Sequence, residues 1–243
     1  MGVVAHNCAM FSLGYLLVRA VPRPPYVSAE LIPETVVSAS VCISPQFPGP
    51  NALSWVIASD EERADALAST GLPAARHEEA IVWATAAHGS ELGWPSVCRS
   101  AAVALVARER FFPNDEAMRV IGLGLPQQFV DDFIAQATPP QSPPQYAPMG
   151  KSGHLEALEK REPLAPGGRL LGFEPVNLEL WSLDHSWLCN GLEVHCAGAL
   201  NIRPAANGLL ATLDEAIRCR NEIARGEVGA EPGPWYPVEL REY

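Results

Sequence analysis

Apolar positions along the chain recur with two different periods, and the switches between them mark out its elements. FSLGYLLVRAV (residues 11–21) and TVVSASVCIS (35–44) are short and rich in β-branched or aromatic residues, with Pro22, Pro24, Pro25 and Pro33 between them. They predict two strands with a change of direction in the intervening stretch. SDEERADALASTG (59–71) predicts a helix: Ser59 and Glu62 have the spacing of a capping box, acids fill the first turn, and Gly71 stops it. LPAARHEEAIVWATAAHG (72–89) repeats that logic between Pro73 and Gly89, with Ile81 and Trp83 on its apolar face. PSVCRSAAVALVARERF (95–111) predicts a third helix, and LPQQFVDDFIAQA (125–137) a fourth, with Phe129, Phe133 and Ile134 on one face. AMRVIGLGL (117–125) between them reads as a buried strand of about five residues.

TPPQSPPQYAPMG (138–150) carries five prolines in thirteen residues. Such a run favours extended polyproline geometry and predicts an exposed linker. It divides the chain into an N-terminal α+β part (1–137) and a C-terminal α+β part (151–243), expected to pack together. In the second part SGHLEALEKRE (152–162) predicts a short helix, and RLLGFEPVNLELW (169–181) a long strand or a hairpin broken at Pro175. TLDEAIRCRNEIARG (212–226) predicts the clearest helix, with Thr212 and Glu215 spaced as a capping box and Gly226 at its end. The Pro-rich tail AEPGPWYPVELREY (230–243) predicts a segment docked on the surface through Trp235 and Tyr236. The fold class expected is α+β, helix-rich, with a few strands near the N-terminus and in the C-terminal third.

Composition narrows the function. The 243 residues carry 17 basic and 28 acidic side chains, a formal charge of −11. An acidic surface repels phosphate backbones and anionic membranes, so the expected partner is neither nucleic acid nor membrane but a basic protein. The first twenty residues lack a basic leader, and Arg19 interrupts their apolar run, so no signal peptide or membrane helix is expected. The six cysteines contain no C-x-x-C pair and read as reduced thiols of a cytoplasmic protein. GKS (150–152) lacks the earlier glycine and strand of a phosphate loop, and GLGLPQ (122–127) lacks the third glycine of a dinucleotide fold. No cofactor is expected.

The densest chemistry lies in LDHSWLCNGLEVHCAG (183–198). A cysteine nucleophile there would be Cys189, with His185 or His195 as base and Asp184 or Glu193 orienting the imidazole. The turn at Cys189, Asn190 and Gly191 precedes a helix start, where backbone N–H groups favour a thiolate or oxyanion. A metal set of His185, Cys189, His195 and Cys196 is disfavoured, because neighbours on a helix point about 100° apart. The third reading makes the stretch core, with Cys189 an inert buried thiol. Arg203 in NIRPAANGLL (201–210) and Trp94 in ELGWPSV (91–97) read first as structural residues.

LGFE (171–174), SWLCNGLE (186–193) and IRPAANGL (202–209) resemble segments of an uncharacterised bacterial protein family. That resemblance implies a bacterial source and no particular activity. The expected function is a cytoplasmic protein-binding module, such as an immunity-type protein that neutralises a basic toxin domain, with an enzyme as the alternative. The module's interface would draw on Asp60, Glu61 and Glu62 or on Trp235, Tyr236, Glu239 and Glu242. The enzyme would be a small thiol-dependent hydrolase or acyltransferase centred on Cys189.

Overall fold

A computed structural model describes residues 9–49, 58–137, 151–179, 182–226 and 229–243. The expected linker, 138–150, lies outside the described residues. Among the described residues the frame is one antiparallel sheet of eight strands. In spatial order it runs β5 (Leu92–Gly93), β6 (Val97–Cys98), β1 (Met10–Arg19), β7 (Met118–Pro126), β10 (Trp235–Glu242), β8 (Arg169–Glu179) and β9 (Ser182–Ser186). β4 (Gln46–Phe47) also pairs with β1, while β2 (Val21–Pro22) and β3 (Thr35–Val36) form a separate pair. Strands from both sides of residues 138–150 meet where β7 pairs with β10.

Strand periodicity explains how the sheet carries layers on both faces. In β1, Leu16 and Val18 enter one core with α4 (Gln127–Ala137) and α5 (Gly153–Glu159). Tyr15 and Leu17 enter the other, under α1 (Asp60–Ser69), α2 (His77–Ala87) and α3 (Ala101–Phe111). A third cluster joins Trp187 and Trp235 to α6 (Leu192–Leu200) and α7 (Leu213–Ile223). β7 alternates Ile121, Leu123 and Leu125 with Gly122 and Gly124. A Cβ on Gly122 would stand 2.7 Å from the Tyr243 ring and 3.0 Å from that of Tyr15, so the GLGL pattern makes room for aromatic side chains.

The helix-rich expectation is overturned: four strands of eight residues or more, β1, β7, β8 and β10, form the centre of a sheet-dominated fold. The tail is the main cause. It is not a surface appendage but β10, inserted between β7 and β8. Pro237 is tolerated because the described pairing of β10 with β7 begins only at Glu239, so no β7 partner awaits its missing N–H. β8 likewise runs unbroken through Pro175, which lies opposite Pro237. β7 has nine residues, not five, and the third helix starts at Ala101, because Val97 and Cys98 are a strand and Ser100 is the N-cap.

The strand expected over 35–44 ends at Val36. Beyond it, serine hydroxyls take the backbone N–H groups that a ladder would need: Ser44 Oγ accepts from Ser38, Ser38 Oγ from Ser40, and Ser40 Oγ from Cys42. Side chains of this kind compete with sheet pairing, and here they win.

Both capping boxes form, at Ser59 with Glu62 and at Thr212 with Glu215. Thr212→Ala removes the hydroxyl that receives the Glu215 N–H and should cost about 1 kcal/mol in urea unfolding. A midpoint equal to that of the wild type would show that α7 is held by its packing alone. No helix among the described residues is long and apolar enough to cross a membrane.

Candidate active site

The loop after β3 is fixed from beneath by one carboxylate. Glu174, fully buried on β8, accepts hydrogen bonds from Ser38 Oγ at 2.7 Å, the Ala39 N–H at 2.8 Å and Ser186 Oγ. It thereby binds the 37–44 loop to β8 and to the end of β9. Burial outweighs these donors and pushes its carboxyl up to about 7. Ser186 Oγ in turn accepts from the Leu188 N–H, which shapes the turn that carries Cys189.

On this base sits a cluster whose members lie as far apart in the sequence as Cys42 and Cys189. The sulfurs of Cys42 and Cys189 and a ring nitrogen of His185 all lie within 4.8 Å of one another. Cys42 is exposed, on the turn of the 37–44 loop, and its Sγ is 3.5 Å from His185 Nδ1. The other ring nitrogen, Nε2, is 3.1 Å from a carboxylate oxygen of Glu179, at the end of β8. With Glu179 ionised, that contact requires Nε2 to carry the proton, which leaves Nδ1 as the acceptor facing the thiol. Cys189 is buried at the head of the 3-10 turn before α6. Its contact with Cys42, and then burial, push its thiol far above the ordinary range.

The surroundings are acidic and aromatic. Tyr26 lies within electrostatic reach of Cys42, Cys189 and Glu193; burial first, and then those groups, raise its phenol. Glu193 is buried on α6, with Oε1 accepting from the Ser28 N–H at 2.9 Å, and burial raises its carboxyl. Its Oε2 has no hydrogen-bond partner among the described residues.

The nucleophile set expected from sequence is only partly assembled. His185 and Cys189 meet, but the exposed thiol beside the histidine is Cys42, and the carboxylate on the imidazole is Glu179. Asp184 belongs to β9, and its side chain lies outside the described residues. His195 points away, its Nε2 3.1 Å from Glu222 of α7. Cys196 is buried against Cys219, whose thiol is raised first by that contact and then by burial. The four-residue metal set of His185, Cys189, His195 and Cys196 is therefore not brought together.

The residues expected to face a protein partner divide in two. Trp235, Tyr236 and Glu239 are buried in β10, and Tyr236 Oη donates to Asp132 at 2.8 Å. Glu239 is paired with Arg241, and Glu242 with Arg119 and Arg169. Asp60, Glu61 and Glu62 are exposed on the first turn of α1. There Asp60 pairs with Arg63 at 3.1 Å, and the Ser59 N–H and hydroxyl hold Glu62 below the usual carboxylate range. No protein-family model, curated protein or solved structure matches the chain.

Proposed function

We propose that the chain is a thiol-dependent hydrolase or acyltransferase in which Cys42 is the nucleophile, His185 the base and Glu179 the group that orients it. The observation that carries this reading is the continuous relay from the exposed Cys42 sulfur through both nitrogens of His185 to a carboxylate. In the first step His185 Nδ1 takes the Cys42 proton while the sulfur attacks an acyl carbon. As the carbon–sulfur bond forms, the carbonyl π pair moves to the acyl oxygen, and it returns to expel the leaving group. The imidazolium then returns its proton to the leaving group, giving a thioester at Cys42. Water or a second nucleophile, deprotonated by His185, releases the acyl group and restores the thiol.

The test is hydrolysis of a panel of activated esters and thioesters by the reduced chain. Turnover is expected with wild type, none above background with Cys42→Ser, and a trapped acyl group at Cys42 by mass spectrometry. Acylation that spares Cys42, or turnover that survives its substitution, would reject the assignment. None of the five described cysteines is in a disulfide, which suits a reducing compartment such as the cytoplasm.

A second reading, an immunity-type protein that masks a basic domain, has the charge of −11 as its support. Its exposed acidic candidates are those on α1, since Trp235, Tyr236 and Glu239 are spent in the sheet.

A further inference from the structure

We propose that Cys42, Cys189 and His185 form a binding site for a single thiophilic divalent cation, with zinc the best match. The proposal uses the same side chains as the hydrolase reading but stands without any turnover; where both hold, the bound cation masks the nucleophile.

The donor set comes first. Two thiols and one imidazole are ligands that zinc and similar borderline-soft ions select, whereas calcium and magnesium need cages of oxygen. Distance is the second argument. Tetrahedral zinc, with bonds of about 2.3 Å to sulfur and about 2.0 Å to nitrogen, places sulfur and nitrogen about 3.5 Å apart and two sulfurs about 3.8 Å apart. Here Cys42 Sγ and His185 Nδ1 are 3.5 Å apart, and the three donor atoms fall within 4.8 Å of one another. Small side-chain rotations would bring them to a common centre.

The surroundings supply what a metal-binding histidine requires. Glu179 holds the far nitrogen of His185, which fixes the near one as the ligand. Glu174 anchors both the Cys42 loop and the β9 end through Ser38, Ala39 and Ser186, so the ligands are positioned in advance. Binding displaces the two thiol protons to solvent, with no change of oxidation state. Three protein ligands leave a fourth position for water or an incoming group.

The full chain, reduced and stripped by chelator, would be titrated with zinc in competition with a chromophoric chelator, and separately with cobalt. One equivalent of zinc should be retained. The cobalt form should show the thiolate charge-transfer and intense visible bands of a tetrahedral sulfur site. Cys42→Ser and His185→Ala should each weaken zinc binding by at least about 10-fold, Glu179→Gln by about 10-fold, and His195→Ala should leave it unchanged. Cys42 is exposed, so its isosteric variant tests the ligand without disturbing the core. Failure of the wild type to compete for zinc, or equal affinity in wild type and Cys42→Ser, would overturn the proposal. The two readings fail separately when acylation is read on the metal-stripped chain: zinc retention with no acylation of Cys42 after stripping removes the hydrolase and keeps the metal site, while acylation of the stripped chain without zinc retention does the reverse.

Discussion

Glu174→Ala should cost about 3 kcal/mol or more of folding stability and free the Cys42 loop from the sheet. The substitution leaves the hydroxyls of Ser38 and Ser186 and the N–H of Ala39 without their acceptor in a buried site. Each stranded donor carries a penalty of about 1–3 kcal/mol, and partial relaxation of the loop keeps the sum near the lower end. Glu174→Gln retains an acceptor oxygen and separates the hydrogen-bonding role from the charge. Burial holds the native carboxyl up to about 7, against 4.5 for the free group. The folded chain therefore keeps a proton that the unfolded chain surrenders between those values. That stabilisation is complete below pH 4.5 and is lost as pH rises through about 7, by an amount on the order of 3 kcal/mol. Urea unfolding from pH 4.5 to 8 should show this fall in wild type and a flatter profile in Glu174→Gln. An unchanged midpoint in Glu174→Ala would mean that the loop is held by apolar packing, and an unchanged slope in the glutamine variant would place the proton elsewhere.

The helices were legible because their signals are local. Ser59 with Glu62 and Thr212 with Glu215 announce a start within four residues, and the glycines after them announce an end. Strand β10 was not, since Pro234 and Pro237 mark surface segments unless the pairing partner is known. The turn before α6 was legible from Asn190 and Gly191, and with it the position of Cys189. Cys42 was hidden for a different reason. TVVSASVCIS has the composition of a strand, and only Ser38, Ser40 and Ser44, at short spacing, hint that hydroxyls will displace the ladder. The partner that makes the loop rigid, Glu174, lies more than 130 residues away, in an apolar strand where a lone acid passes for a solvent-facing position. His195 and Cys196 are adjacent in the sequence and have the look of a site there, yet α6 turns them toward α7. The site is assembled by tertiary contacts between β8, β9 and a distant loop, which no local pattern encodes.

His185→Ala should lower kcat/KM for any ester the protein hydrolyses by about 10²- to 10⁴-fold, the usual worth of a positioned general base. Its effect on simple alkylation of Cys42 should be much smaller. An unassisted thiol is already a few per cent thiolate at pH 7, so even full ionisation beside His185 speeds iodoacetamide by no more than about 30-fold. The imidazole is needed twice in turnover, to take the thiol proton and to return it to the leaving group, but only once in alkylation. The two assays should therefore separate by at least about threefold in the same variant. Glu179 is 45% exposed, so water can replace its contact with His185 Nε2, and Glu179→Gln should cost less than His185→Ala in both assays. At pH 10, where an ordinary thiol ionises without a base, wild type and His185→Ala should alkylate at similar rates. Equal loss in turnover and alkylation would make His185 an electrostatic neighbour instead of a proton carrier. No loss in either would break the relay at its centre and with it the assignment of Cys42 as nucleophile.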